Sequence, residues 1–235
     1  MRRTFLTIVY DIRFQLRHGF YWVYAIICAV YGLLLHFVPA GYKEKITLLL
    51  TFSDPSAVGL ILAGGIVLLE KDQGIHASLF VTPLRLREYM TAKAVSLSIL
   101  SLSAAWAIHV SSLGMPDHPL LFSLGVVLTS SMITWLSIGV VVRTESINGF
   151  ILLSQLYAIP FIVPLIGFFG IGPASPYAVI PTSGSLILLR SSYSVVTAGE
   201  VVYAISILLL GNIGVYVWAK RSFSRKILGD GGVFG

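Results

Sequence analysis

The sequence predicts an all-α polytopic membrane protein with six transmembrane helices, an N-terminal interfacial helix and both termini in the cytoplasm. Only 11% of its 235 residues are charged and 56% are hydrophobic, whereas about 25% of the residues in a soluble domain are charged. Several apolar stretches reach the roughly 20 residues that a helix needs to cross a ~30 Å hydrocarbon core. These stretches are continuously apolar and do not alternate as the strands of a membrane barrel do.

Residues 1–19 predict a helix that lies in the inner membrane interface. They carry five charges and lack the continuous apolar core of a cleaved signal peptide. At helical spacing the apolar side chains share one face, and the charged side chains lie elsewhere on the wheel. The members of the apolar face are Phe5, Ile8, Val9, Ile12 and Leu16. A plain charged tail is the alternative interpretation.

The rest of the single transmembrane domain, residues 1–235, alternates apolar spans with short connections. The spans are expected at residues 20–38, 55–74, 94–113, 120–142, 147–169 and 200–219. Residues 75–93 form a polar cytoplasmic elbow, and residues 170–199 form a proline-containing outer segment. The apolar run in the outer segment is too short to cross, so we expect either a re-entrant pair of half-helices or small helices on the outer face.

The distribution of basic residues tests this topology. Of the 16 Lys and Arg residues, only Lys43, Lys45 and Arg190 fall in the predicted outer segments. Because Lys and Arg concentrate in cytoplasmic loops, the other thirteen place both termini inside the cell. The net charge of +6 therefore reflects membrane topology and does not indicate a nucleic-acid partner.

Asp54 and Pro55 allow two interpretations of the second span. We favour Asp54 as the N-cap of a helix with proline at its first position, where no backbone hydrogen bond is lost. That interpretation leaves residues 42–53 outside the bilayer. The alternative is a carboxylate buried in the span as an ion or proton site, which usually needs a partner charge.

Polar side chains inside the later spans are candidates for a substrate path or a dimer interface. Ser130, Thr134 and Ser137 form a hydroxyl stripe at helical spacing, which favours helix packing over a path. Gln155 lies in a span that two prolines are expected to kink, and its amide must find a hydrogen-bond partner. The candidate residues are Ser130, Thr134, Gln155 and Asn212.

The chain carries none of the motifs of an enzyme that hydrolyses ATP. No glycine-rich loop ends in Gly-Lys-Ser or Gly-Lys-Thr. The five histidines are scattered without metal-ligand spacing, and Cys28 is the single cysteine. We therefore expect no catalytic residues, no metal site and no cofactor bound by this chain.

Residues 70–93 are the one long polar passage between the two apolar halves. The second span can continue as a helix past Gly74 before residues 81–83 interrupt it. Thr82 can then cap a new helix with Pro83 in its first turn. The expected result is a helical elbow that carries a push from a soluble partner into two spans; an ordinary charged loop is the alternative.

This passage resembles the signature region of type 2 ABC exporter permeases. The matching positions, in order and spacing, are Glu70, Lys71, Asp72, Gly74, Leu79, Val81, Thr82, Pro83, Leu84, Glu88, Tyr89 and Lys93. The chain departs from the family pattern at Ile75-His76-Ala77 and at Ala92, where a glycine is common. The N-terminal interfacial helix, the six spans and the outer segment before the last span are also similar to the family layout.

The resemblance implies a transport subunit that crosses the cell membrane several times. The expected membrane is the prokaryotic plasma membrane. It implies two copies of a separate ABC ATPase, which would hold ATP and Mg, and a homodimer or a pairing with a second permease. The implied ATPase contact comprises Glu70, Gly74, Leu79, Thr82, Pro83, Arg85, Arg87, Glu88, Tyr89 and Lys93. A secondary transporter or channel is the alternative, and it would need an ionisable residue inside the membrane.

Overall fold

Every regular element among the described residues is a helix. The structure, a computed structural model, describes residues 2–74, 84–170 and 176–228. Its helices are α1 Arg2–Arg17, α2 Phe20–His36, α3 Ala40–Asp72, α4 Leu86–Leu113, α5 Pro119–Val141, α6 Ile147–Phe168, α7 Thr182–Arg190 and α8 Ala198–Phe223. One π-helical turn, Val58–Leu62, lies inside α3, and a second, Ser224–Leu228, follows α8.

Five of these helices are long and apolar enough to cross a membrane, namely α3, α4, α5, α6 and α8 with its extension to Lys226. The pair α1 and α2 qualifies as a sixth only when the two helices are taken together, and they are bent by 63°. Gly19 allows this bend because its φ of 76° is in the left-handed region that favours glycine. The predicted class, an all-α polytopic membrane protein, is confirmed.

The buried face of α1 is polar. Asp11 and Gln15 are buried against α4, whereas Phe5 and Leu16 remain more than half exposed. A helix with apolar side chains turned away from the protein, and with arginines at its margins, suits the surface of a bilayer. Its polar side chains hold it to the rest of the chain.

The preferred N-cap interpretation of Asp54 is wrong. Helix α3 is continuous from Ala40, and Asp54 and Pro55 lie inside it. Leu48 and Phe52, which the cap interpretation left outside the bilayer, belong to a buried cluster with residues of α4 and α5. Burial of these side chains outweighs the local signal to begin a helix. At ~1.5 Å per residue the 33 residues of α3 span about 50 Å, so the helix tilts or extends beyond the hydrocarbon core.

Helix α5 is the centre of the bundle and packs against α3, α4, α7 and α8. The predicted hydroxyl stripe lies in these contacts. The Ser130 and Ser101 hydroxyls are 2.9 Å apart, and the Ser137 hydroxyl donates to the Leu60 carbonyl in the π-helical turn at 2.6 Å. The stripe therefore serves helix packing, as the sequence favoured.

The outer segment contains a short helix, α7, that reaches the middle of the bundle. Pro181, just before α7, contacts Gly211 half way along α8. Thr182 donates to the Phe161 carbonyl at 2.7 Å, while at the other end Arg190 pairs with Glu200 at 2.8 Å. The outer segment thus contains one short helix that polar contacts to α6 and α8 hold in the bundle.

Close packing of α7 on α8 generates a test of this arrangement. A Cβ at Gly184 would lie 2.5 Å from the Ala204 carbonyl oxygen, so Gly184→Ala should push the helices apart and cost about 1–3 kcal/mol. The measurement is the melting temperature of the purified protein in detergent. Gly214→Ala in α8 meets no atom within 4 Å and is the matched control; equal melting temperatures for both variants would contradict the placement of α7.

Candidate functional site

The ends of α3 and α4 that face the predicted cytoplasmic side meet α1 in a buried group of polar side chains. The Lys93 ammonium donates to Asp11 Oδ1 at 2.8 Å and to Glu70 Oε1 at 2.7 Å. The Tyr89 hydroxyl donates to the other Glu70 oxygen. The Gln15 amide donates to Ser96 Oγ at 3.2 Å. We call Asp11, Gln15, Glu70, Tyr89, Lys93 and Ser96 the inner polar cluster.

Helical spacing brings these side chains together. Asp11 and Gln15 are four residues apart on α1, and Tyr89 and Lys93 are four residues apart on α4, so each pair shares a face. Glu70 lies in the last turn of α3. Lys93 and Tyr89 are 3% and 1% exposed, which means that water does not screen their interactions with the carboxylates.

Helix α4 begins later than the predicted elbow. Arg85 is extended and the helix starts at Leu86, so a single helix from Pro83 through Tyr89 is wrong. The Glu88 carboxylate accepts from the Arg85 backbone N–H at 2.9 Å, which satisfies a donor at the helix start. The helix then runs unbroken to Leu113 and includes Tyr89 and Lys93, which the sequence placed in the elbow.

The loop between α3 and α4, residues 73–85, is here called the inner loop. Its predicted contact residues Leu79, Thr82 and Pro83 lie outside the described residues. Gly74 ends α3 with a φ of 65°, and Arg85 and Arg87 are exposed at the start of α4. The structure thus places Glu70, Tyr89 and Lys93 inside the bundle, whereas the two arginines face outward.

In the inner polar cluster the Lys93 ammonium is shared between two carboxylates, Asp11 and Glu70. Burial raises the pKa of the Asp11 carboxyl above its ordinary value, although the neighbouring Lys93 opposes that rise. The strength of the hydrogen bonds in the cluster therefore depends on whether the Asp11 carboxyl is protonated.

A second group of contacts joins α5, α6 and α8 at the same end of the bundle. The Arg143 guanidinium donates to the Tyr157 hydroxyl and to Ser222 Oγ, both at 2.8 Å, and its carbon lies 4.6 Å from the centre of the Trp218 ring. Sequence reasoning assigned Arg143 only to an inner loop. The available signal was the pair of aromatic residues Tyr157 and Trp218 in two later spans, because an arginine is attracted to the faces of aromatic rings.

The four candidate path residues separate into two groups. Ser130, Thr134 and Asn212 are buried between helices of this chain. Asn212 donates to the Leu128 carbonyl at 3.0 Å and accepts from Ser131 at 2.8 Å, which fixes α8 on α5. Gln155, in contrast, is exposed and lines a cavity between α3 and α6.

This cavity has a volume of about 280 Å³. Its wall is mostly apolar and carries two phenylalanine rings together with a few hydroxyl and amide groups. Such a combination suits a small amphipathic molecule, because the apolar wall binds its body and the polar groups orient it. The lining residues that matter for this chemistry are Phe52, Ser53, Ser56, Gln155, Phe161 and Thr182.

Asp54 follows the cavity-lining residue Ser53 in the sequence, but its own side chain does not line the cavity. Its side chain is buried, and its Oδ2 atom has no hydrogen-bond partner among the described residues. Tyr24 and Cys28 of α2 are near enough to interact with its charge. The interpretation that the sequence disfavoured, a carboxyl inside the span, is the one that the structure adopts.

A helical bundle that crosses the membrane several times and opens an amphipathic cavity between two spans has the architecture of a permease, a membrane transport protein. The chain belongs to the fluoroquinolones export permease protein family, which it matches over residues 2–230. Two Mycobacterium tuberculosis proteins, from strains CDC 1551 / Oshkosh and ATCC 25618 / H37Rv, are both named fluoroquinolones export permease protein. Each is 27% identical to this chain over 183 residues, which is 77% of either length. No solved structure matches the chain.

Removing the ammonium of the inner polar cluster should destabilise the permease. Lys93→Met removes the ammonium that the buried Asp11 carboxyl and the half-buried Glu70 carboxyl share, at an expected cost of about 3–5 kcal/mol. Adding Glu70→Gln in the same chain removes one of the two acids and should recover part of the loss. Melting temperature in detergent measures both effects, with the exposed Lys220→Met as control. A Lys93→Met protein as stable as the wild type would show that the cluster contributes nothing.

Proposed function

We propose that this export permease is the transmembrane subunit of an ATP-driven ABC exporter that works with two copies of a separate ATPase. Its membership of an export permease family supports transport out of the cell. The match of residues 70–93 to the type 2 ABC exporter pattern supports the ATPase partner. ATP and Mg would be held by that partner, and the complex would reside in the prokaryotic plasma membrane.

The observation that carries this proposal is the inner polar cluster. Glu70 and Lys93 stand on either side of the inner loop and are joined by an ion pair of 2.7 Å. A force that a partner applies to the inner loop would move α3 and α4 as one unit, and Asp11 would draw α1 with them. Because α3 also forms one wall of the cavity, such a movement changes the cavity's shape, which is what alternating access requires.

Variants of the inner loop test the ATPase contact. Arg87→Ala removes an exposed charge at the start of α4, and Pro83→Ala alters the loop without removing a charge. Each should reduce co-purification of the ATPase and ATP-dependent export at least tenfold, while the amount of folded permease in the membrane stays constant. Arg221→Ala, which removes another exposed arginine at the same end of the bundle, is the matched control. Undiminished export in both loop variants would remove the coupling role.

We further propose that the substrates are amphipathic aromatic compounds of the fluoroquinolone class. The two relatives are named for fluoroquinolone export. The cavity between α3 and α6 has aromatic rings that can stack on a planar drug, and its hydroxyl and amide groups can bind a drug's polar substituents. Gln155, an exposed polar side chain in the cavity wall, is placed to form such hydrogen bonds.

The cavity assignment predicts a difference between Phe161 in α6 and Phe169 just beyond the end of α6. Phe161→Ala removes a ring from the cavity wall and should raise the substrate concentration for half-maximal export by about tenfold, the equivalent of one lost aromatic contact. Phe169→Ala, just beyond the end of α6, removes an exposed ring outside the cavity and should leave export unchanged. Drug accumulation in cells measures both. Equal behaviour of the two variants would place the substrate elsewhere.

Exposure of α6 supports pairing with a second permease chain. Gln155 lies half way along α6, and its exposed amide lacks partners in lipid. A second copy, or a related permease, placed against α6 would supply those partners and enclose the cavity from the other side. Chemical cross-linking of native membranes followed by mass determination tests this pairing; recovery of monomers alone would overturn it.

The position of Asp54 favours a second candidate function, cation-coupled secondary transport. A carboxyl buried inside a span without a hydrogen-bond partner at Oδ2 is the feature that such a transporter needs. Dissipating the ion gradients while ATP is present distinguishes the two functions. Loss of export under those conditions, together with loss in Asp54→Asn and retention in Arg87→Ala, would replace the ATPase proposal with this one.

A further inference from the structure

Two acceptor atoms of the inner polar cluster are buried without a donor. Asp11 Oδ2 and Gln15 Oε1 have no hydrogen-bond partner among the described residues, although Asp11 and Gln15 are only 4% and 1% exposed. Their remaining polar atoms are bonded into the cluster, Asp11 to Lys93 and Gln15 to Ser96. Since leaving buried polar atoms unsatisfied costs about 1–3 kcal/mol each, each of these two acceptors calls for a donor.

The charge of the cluster points to the same missing donor. Lys93 and Tyr89 of α4 and Glu70 of α3 are the titratable groups that face Asp11. Helix α2, which also packs on α1, contains no Lys, Arg, Asp or Glu. An ionised Asp11 would hold its charge where burial disfavours it, and its donor Lys93 is shared with Glu70.

We propose that the inner polar cluster is a proton-binding site in which Asp11 Oδ2 carries the proton and donates it to Gln15 Oε1. Asp11 and Gln15 are neighbours on one helix face because they are four residues apart. The proton turns Asp11 Oδ2 into a donor, supplies Gln15 Oε1 with a hydrogen bond and leaves the Glu70–Lys93 ion pair in place. Asp11 Oδ1 continues to accept from Lys93 as the carbonyl oxygen of a carboxylic acid.

Proton binding at this site controls how firmly α1 is held. Burial raises the pKa of the Asp11 carboxyl, and a pKa that is higher in the folded protein than in the unfolded chain stabilises the fold at low pH. This stabilisation is complete below the ordinary Asp value of about 4 and is lost as pH rises through the higher folded-state pKa. A rise in pH through the folded-state pKa of Asp11 therefore loosens α1 from the two helices that flank the inner loop.

Asp11→Asn is the direct test, because asparagine is neutral and carries an N–H donor where the acid carries its proton. We expect this variant to keep the melting temperature that the wild type has at low pH, and to lose the decline that the wild type shows as pH rises. Asp72→Asn, at the exposed end of α3, is the matched control and should behave as the wild type does. The difference between wild type and Asp11→Asn at each pH carries the result.

Infrared spectroscopy of the full-length protein in detergent identifies the proton itself. The wild type should show a protonated carboxylic acid C=O band that is absent in Asp11→Asn and that shifts in Gln15→Leu, where the acceptor is lost. The competing arrangement has an ionised Asp11 that accepts from a reversed Gln15 amide. In that case the band would be missing, Asp11→Asn would be less stable than the wild type at every pH, and the proposal would be overturned.

Discussion

The buried ammonium of Lys93 is the constraint on which the inner half of the structure depends. An ammonium removed from water must be surrounded by acceptors, and Lys93 finds them on two other helices, at Asp11 of α1 and Glu70 of α3. Three segments that are far apart in the chain are thereby fixed at one point. The polar face of α1 is buried in this contact, and Phe5, Leu6 and Leu16 lie on its exposed side.

The outer half of the bundle is held by a different device, the close approach of helices through small and hydroxyl residues. Gly125 and Gly184 allow α7 to lie directly against α5 and α8, and the Thr129 and Ser185 hydroxyls are hydrogen-bonded at 2.6 Å. Such contacts are strong in a bilayer because lipid offers no alternative hydrogen-bond partners. Because α7 is held this way, Thr182 reaches the cavity from the outer side.

These two halves meet in α3, the longest helix. Its inner end carries Glu70, and its middle carries both the π-helical turn and one wall of the cavity. π-Helical turns inside α-helices occur frequently at functional sites, since they place side chains out of the regular helical register. A helix that is anchored at its inner end and irregular beside the cavity has the form that the proposed coupling between an ATPase and a substrate would need.

The sequence by itself determined that the protein is an all-α membrane protein. It also predicted that both termini are cytoplasmic and that residues 70–93 are the polar passage between two apolar halves. These properties follow from length, hydropathy and the placement of charge, which act locally. Only the tertiary structure decided that Asp54 lies inside a helix, because the burial of Leu48 and Phe52 against other spans outweighs a local cap. It also decided that Asp11 and Gln15 join Glu70, Tyr89 and Lys93, since side chains separated by about 80 residues meet only when the helices pack.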